Sequence, residues 1–395
     1  MNSSAEPNKR GLFAINPVIL VLGLVSLFTD LSSNMIVPIL PLYLTSVLHV
    51  QVGSIGIIEG IAESTASILK MFSGWITDRL GKHKLLMLIG YGLSNLTKPF
   101  FALSANWSQV LIIRFSDRFG KGIRTSPRDA LVADSTSKGE RGKAFGFRRA
   151  MDALGAALGP LAAFGILAIY AGNYRLVFWL SVIPGILAVI LIIFFLKEKD
   201  RRENVKQASL PKIGFKNLDR RFIWFSLIFT FFTVGNFSDA FLALRAQDAG
   251  MLSAFIPLAF FALNMSSSIF SMPIGMLSDR IGRRPVLISG FLIFAAIYFG
   301  FGIAKSVSWI WILFVLYGFY YAFTEGIQKA YIADIVPEGQ RGTAMGTFNA
   351  MTGLAALPAS IMAGYLWQTF GPMVAFSTSS AIAVIAALLM IILRI

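Results

Sequence analysis

A carboxylate in the middle of an apolar run is the first feature of this sequence that could do chemistry. Asp30 stands about fourteen residues into the run at 17–45, with Asn34 one turn later and Pro38 and Pro41 beyond it. An ionisable group at such a depth is costly unless it is paired or faces a watery cavity, so it reads as functional. Glu59 and Glu63 are spaced i,i+4, which puts both on one helix face. Two like charges that close resist being ionised together, a property suited to a site that takes up and releases protons. The segment 114–130, RFSDRFGKGIRTSPRDA, is stranger still. Arg114, Asp117, Arg118, Lys121, Arg124 and Arg128 recur every three or four residues and so share one broad helical face. That face is expected to border a cavity or the carboxylates of neighbouring spans, Asp152 included. The competing reading is a structural ion-pair network with Asp129 and Asp152, to which Arg148 and Arg149 would belong.

The second half of the chain is quieter. Asp239 and Arg245, then Glu325 and Lys329, are its main charges within apolar runs. Asp239 is expected to face the cavity and Arg245 to lie at the outer mouth, while Glu325 and Lys329 form an i,i+4 pair that could satisfy itself. Aromatic clusters at 229–237 (FTFFTVGNF) and 317–326 (YGFYYAFTEG) accompany them. Such rings can stack on a hydrophobic or cationic substrate, although core packing is their commoner use. The expected substrate cavity therefore comprises Asn34, Asp239, Phe232, Asn236, Tyr321 and Glu325.

The elements that must carry these residues are membrane spans. Of 395 residues, 56% are hydrophobic and 14% charged, with mean hydropathy +0.70; soluble domains carry about a quarter charged residues. Runs of about 20 apolar residues cross a hydrocarbon core of about 30 Å. Twelve are expected: 17–45, 53–77, 84–104, 108–130, 143–170 and 174–196, then 222–246, 251–277, 285–304, 308–332, 342–367 and 371–393. Spans 4 and 10 are polar enough to escape a strict hydropathy cut. The formal net charge of +15 would suggest nucleic acid in a soluble protein. Here the basic residues collect in alternate loops and in 197–221, which instead predicts cytoplasmic termini in an inner membrane and no nucleic-acid partner. The chain has no cysteine and two histidines, so neither thiol chemistry nor a polyhistidine metal site is expected. The first span reads as uncleaved rather than as a signal peptide. No Walker loop, HExxH or serine elbow is present, so the chain is not expected to be an enzyme or to run on ATP.

Two ordered signatures recur at nearly one offset. ADSTSKGERGKAFGF (133–147) returns as ADIVPEGQRGTAMGT (333–347), and GWITDRLGKHK (74–84) as GMLSDRIGRRP (275–285). The chain is therefore expected to be two homologous halves, 1–196 and 222–395, joined by a basic linker at 197–221. Parallel repeats of this kind suit a transport route between rocking halves.

These residues carry a family resemblance. GWITDRLGKHK and GMLSDRIGRRP resemble the loop 2–3 signature of the major facilitator superfamily and its second-half copy, and the likeness covers nearly the whole chain. It implies an all-α fold of twelve transmembrane helices in two pseudo-symmetric six-helix bundles. It also implies a cytoplasmic charge latch at Asp78, Arg79, Asp279 and Arg280, with His83 standing where arginine is commoner. Span 5, GFRRAMDALGAALGPLAAFG, resembles the motif of the superfamily's proton-driven exporters at Gly155, Gly159 and Pro160, departing from it after the proline. Arg114 matches the family's arginine in span 4, and Arg118 replaces a glycine. The function so implied is proton-coupled export of a small, partly hydrophobic or amphipathic compound by antiport, with Asp30, Glu59, Glu63, Arg114, Asp117 and Arg118 as the coupling set. The partners would be that substrate, protons and membrane lipid, with a monomer as the working unit and the proton gradient in place of a cofactor. A proton-coupled importer and a lipid or lysophospholipid flippase remain as alternatives.

Overall fold

The computed structural model describes residues 16–80, 82–136, 140–196, 219–337 and 340–394, without the side chain of Asp78. The described residues form fifteen α-helices, three pairs of which make broken spans, so twelve spans result. The first six are α1 (Pro17–Ile36) with α2 (Leu40–Ser46), α3 (Val52–Leu80), α4 (His83–Leu103), α5 (Trp107–Asp134), α6 (Arg141–Ile169) and α7 (Tyr174–Phe195). The second six are α8 (Arg220–Gly235) with α9 (Ala240–Asp248), α10 (Ile256–Ile281), α11 (Arg283–Ile303), α12 (Val307–Thr324) with α13 (Ile327–Ile335), α14 (Arg341–Phe370) and α15 (Pro372–Ile392). Ten spans are long and apolar enough to cross a membrane; α4 and α5 fall short. The expected exception at span 10 is therefore corrected to span 3, whose polar residues are hidden by protein, Lys98 being only 2% exposed.

The breaks have local causes. Pro38 and Pro41 offer no amide hydrogens to continue α1, and the helix restarts at Leu40. Span 7 breaks at the same level of its repeat, through Asn236, Phe237, Ser238 and Asp239. The turn between α10 and α11 needs Gly282, whose φ of +94° is a conformation that only glycine adopts readily. Its counterpart Gly81 lies outside the described residues, as does the 197–218 part of the linker.

Two of the broken spans donate to the end of a neighbouring helix. Tyr43 of α2 donates its hydroxyl to the Ser104 carbonyl at 2.8 Å, closing α4. Arg245 of α9 donates Nε to the Phe301 carbonyl at 2.7 Å and Nη2 to that of Ala304, closing α11. The expected outer-mouth arginine is thus a buried cap, which satisfies carbonyls left open at a helix end. Removing the hydroxyl in Tyr43→Phe is expected to cost about 1 kcal/mol, read as a lower melting temperature of the detergent-purified chain.

The halves meet closely at the end of the bundle away from the termini. Ser64 donates to the Gly353 carbonyl at 2.7 Å, and the Gly53 amide donates to Gln368 at 3.0 Å, joining α3 to α14. Gln247 reaches Ser46 at 2.9 Å, and Asn264 donates to the Ala156 carbonyl at 2.8 Å. Toward the other end Arg149 and Glu325 form an ion pair across the halves at 3.7 Å, with both side chains more than half exposed. Between these levels the halves diverge around a cavity.

The core of the second half is aromatic. Phe232 is fully buried, stacked on Phe291 with centroids 4.1 Å apart and edge-on to Phe294. Phe232 therefore belongs to the packing of α8 against α11 and does not line the cavity, because its side of the helix faces the bundle core.

Candidate functional site

A cavity of about 380 Å³ lies between the halves, lined from α1, α3 and α5 on one wall and from the span 7 break, α12 and α14 on the other. Its first-half wall rests on two helices that present charges at matching intervals. Glu59 and Glu63 lie one turn apart on α3, Arg114 and Arg118 one turn apart on α5. Arg114 grips Glu59 with two parallel bonds, Nε to Oε1 at 3.1 Å and Nη2 to Oε2 at 3.0 Å. Arg118 Nη2 sits 3.2 Å from Glu63 Oε1. Asp117 lies within 3.8 Å of Arg114 and 4.0 Å of Arg118 and accepts a hydrogen bond from Ser94. That contact needs α4 and α5 to touch: a Cβ on Gly120 would fall 2.6 Å from the Gly90 carbonyl oxygen. Lys121 and Arg124 continue the α5 face into the cavity, with the Arg124 guanidinium 4.5 Å over the Tyr91 ring.

Asp30 enters the cavity from α1, and Asn34 donates to its backbone carbonyl at 2.8 Å. Among the described residues the Asp30 carboxylate has no hydrogen bond and no ion pair. Its position is set by α6: a Cβ on Gly155 would come 2.9 Å from the Leu31 amide nitrogen, and one on Gly159 would come 2.6 Å from the Leu31 carbonyl oxygen. Gly155 and Gly159, immediately before Pro160, therefore let α6 lie directly against the turn that carries Asp30.

The second-half wall centres on Asp239, which the break in span 7 delivers to the cavity. Tyr317 donates to its Oδ1 at 3.0 Å, and Tyr321 lies 3.2 and 3.0 Å from its two oxygens. Asn236 joins the group through Tyr317 and Tyr320 at 3.4 and 3.3 Å. One contact ties the walls together: Ser238 donates to Glu59 Oε2 at 3.3 Å. Ser238 and Tyr317 are absent from the sequence-based site. The run of Asn, Ser and Asp after Gly235 was the available signal, since such residues favour helix ends over helix interiors.

The structure thus brings Asp30, Asn34, Glu59, Glu63, Arg114, Asp117, Arg118, Asn236, Asp239 and Tyr321 to one cavity. Glu325 is not among them. It lies in a second hollow of about 320 Å³ near the terminal end, beside Arg149, Asp279 and Arg283. Because α12 ends at Thr324, Glu325 and Lys329 are not on one continuous helix, and the acid turns to Arg149 of the other half. Arg149 is accordingly separate from the compact network of Arg128, Asp129, Arg148 and Asp152, whose contacts run from 3.0 to 3.7 Å.

The two repeated loops place a basic side chain against an aspartate at matching positions. His83 Nε2 faces Asp134 at 3.9 Å, and 200 residues on Arg283 Nε faces Asp334 at 3.4 Å. Asp279 pairs with Arg283 at 2.5 Å, a contact made across the Gly282 turn from the last turn of α10 to the first residue of α11. Arg79 lies 5.4 Å over the Trp75 ring, and the Asp78 side chain is outside the described residues.

Comparison with known proteins decides the family. The profile described as Major Facilitator Superfamily matches residues 22–263 and 223–395. The chain belongs to the major facilitator superfamily. A relative from Methanocaldococcus jannaschii, named an uncharacterised MFS-type transporter, is 38% identical over 94% of this chain and 93% of its own. The quinolone resistance protein NorA of Staphylococcus aureus is 27% identical over 47% of this chain and 48% of its own. Among solved structures, the nucleoside transporter NupG superposes with a TM-score of 0.78 at 14% identity, covering 96% of this chain and 99% of its own. A bacterial homologue of the human lysosomal transporter Spinster, inward-facing and occupied, gives 0.75 at 16%, over 96% of each chain. Both share the fold. This member of the superfamily is a multi-pass membrane transporter, and the charged cavity lies between its two halves.

Proposed function

We propose that the protein exports a small, amphipathic compound in exchange for protons, moving both through the cavity between its halves. One observation carries this reading. Of the five cavity carboxylates, Glu59, Glu63 and Asp117 are held by arginines, while Asp30 and Asp239 have no cation within ion-pair distance among the described residues. Those two are free to gain and lose a proton as the cavity opens to either side, and the arginine-bound acids hold α3 to α5. The packing of Gly155 and Gly159 on the Asp30 turn supports export, because it places the exporter-like stretch of α6 directly on a proton site. NorA, a resistance protein by name, is similar over about half the chain and points the same way. The basic loops support cytoplasmic termini in an inner membrane. A membrane potential of 100 mV would then contribute about 2.3 kcal/mol for each net charge moved.

The test is proton flux in proteoliposomes under an imposed pH gradient, screened for compounds that trigger internal pH change. Asp30→Asn and Asp239→Asn should each abolish compound-triggered flux while leaving yield and monodispersity unchanged. Flux that persists in both variants would show that neither acid carries the proton.

A further inference from the structure

The two cavity walls differ in the charge they leave unmatched. On the first-half wall Arg114 and Arg118 are matched by Glu59 and Glu63, with Asp117 between them. Lys121 and Arg124 continue the same face, and neither reaches a carboxylate within ion-pair distance among the described residues; Asp30, the nearest unpaired acid from α1, is no exception. Arg124 is 5% exposed and fixed over the Tyr91 ring, so its planar donor fork is held in place before any ligand arrives. On the second-half wall Asp239 is, among the described residues, the one charged residue that borders the cavity, cradled by the hydroxyls of Tyr317 and Tyr321. Those bonds leave acceptor positions on its oxygens for a further donor. The same cavity is also lined by apolar Val37, Phe237 and Ala356, alongside hydroxyls such as those of Ser67 and Thr352.

We propose that the transported compound is a zwitterion, whose carboxylate or phosphate sits on Lys121 and Arg124 and whose ammonium sits on Asp239. The inference rests on the cavity being the transport site and deepens that reading. With Asp30 protonated, the first-half wall holds four cations, Arg114, Arg118, Lys121 and Arg124, against the three carboxylates of Glu59, Glu63 and Asp117. A purely cationic compound would leave that surplus unmatched, and a purely anionic one would leave Asp239 so; charges left unmatched in a shielded site are costly. A zwitterion puts one charge on each half and so bridges the two bodies that must move together. Its ammonium and a proton compete for Asp239, as an exchanger requires. The same chemistry exists in free amino acids and in zwitterionic lysolipid headgroups.

Because the chain has no cysteine, Ala356→Cys places a single thiol beside the site. Labelling of that thiol in nanodiscs is measured with phenylalanine, phenethylamine or 3-phenylpropanoate as protectant, and with lysophosphatidylethanolamine as the lipid arm. Phenylalanine or the lysolipid should protect at least about tenfold better than either single-charge analogue, a difference of one strong charged contact. Lys121→Gln and Arg124→Gln should each erase the advantage over phenethylamine, and Asp239→Asn the advantage over 3-phenylpropanoate. Protection by the lysolipid alone would confirm the zwitterion and assign it to lipid. Phenethylamine protecting as well as phenylalanine in every variant overturns the proposal, as does the absence of protection by any zwitterion. No gradient is present in this assay, so loss of proton coupling elsewhere would leave the zwitterion site standing, and the converse holds too.

Discussion

Arg114→Ala is expected to be the most damaging single substitution in the cavity. Arg114 and Glu59 are 5% and 4% exposed, and their two parallel bonds join α5 to α3. Removing the arginine leaves the Glu59 carboxylate shielded from water with only the Ser238 hydroxyl for company. Breaking a buried pair in this way costs about 3 to 5 kcal/mol, more than the pair itself contributes, because the residual charge is unmatched. Thermal unfolding of the purified protein should show the loss, and the double variant Arg114→Gln with Glu59→Gln should recover much of it. A double variant no more stable than Arg114→Ala would mean that packing, not charge, is lost.

The second large effect is expected at the seam between α3 and α14. A Cβ on Gly60 would come 2.9 Å from the Leu357 carbonyl oxygen and 3.2 Å from its Cα, and Gly56 faces the backbone of Ser360 still more closely. These obstacles are backbone atoms, which cannot rotate aside as a side chain would. Gly56→Val should therefore prevent the halves from closing at this end. Overpacking of this kind costs about 1 to 3 kcal/mol, and each 1.4 kcal/mol shifts a two-state balance about tenfold. In the Ala356→Cys background, a membrane-impermeant thiol reagent added on the side away from the termini should label at least about tenfold faster once Gly56→Val is present. Transport should fall in parallel. Equal labelling with and without Gly56→Val would show that the seam does not gate access.

Both expectations depend on pairings that the chain alone does not display. The i,i+4 spacing of Glu59 and Glu63, and of Arg114 and Arg118, showed that each pair shares a helix face. It did not show that the faces meet, since many helix pairs could present equivalent faces. Phe232 illustrates the same gap from the apolar side: a phenylalanine beside Asn236 reads equally as cavity or core, and only the position of α11 decides between them. Glu325 was grouped with the cavity together with the aromatic run 317–326, and its self-contained pair with Lys329 assumed a continuous helix; the break after Thr324 instead turns it to Arg149. Asp279 was legible as part of a charged latch, but that Arg283 reaches it across the Gly282 turn was not.

The sequence by itself determined the spans, the duplication, the repeated charged loops and the family. Each follows from a local rule: a helix in lipid must be long and apolar, and a repeat preserves its signatures at a constant offset. Span 3 shows the limit of that rule, since Lys98 and its polar neighbours are tolerated where protein, not lipid, surrounds them. Only the tertiary structure decided which acids are held by arginine and which stand open to the cavity. That choice depends on distances of 3 to 4 Å between helices far apart in the chain, which no spacing along one helix can specify.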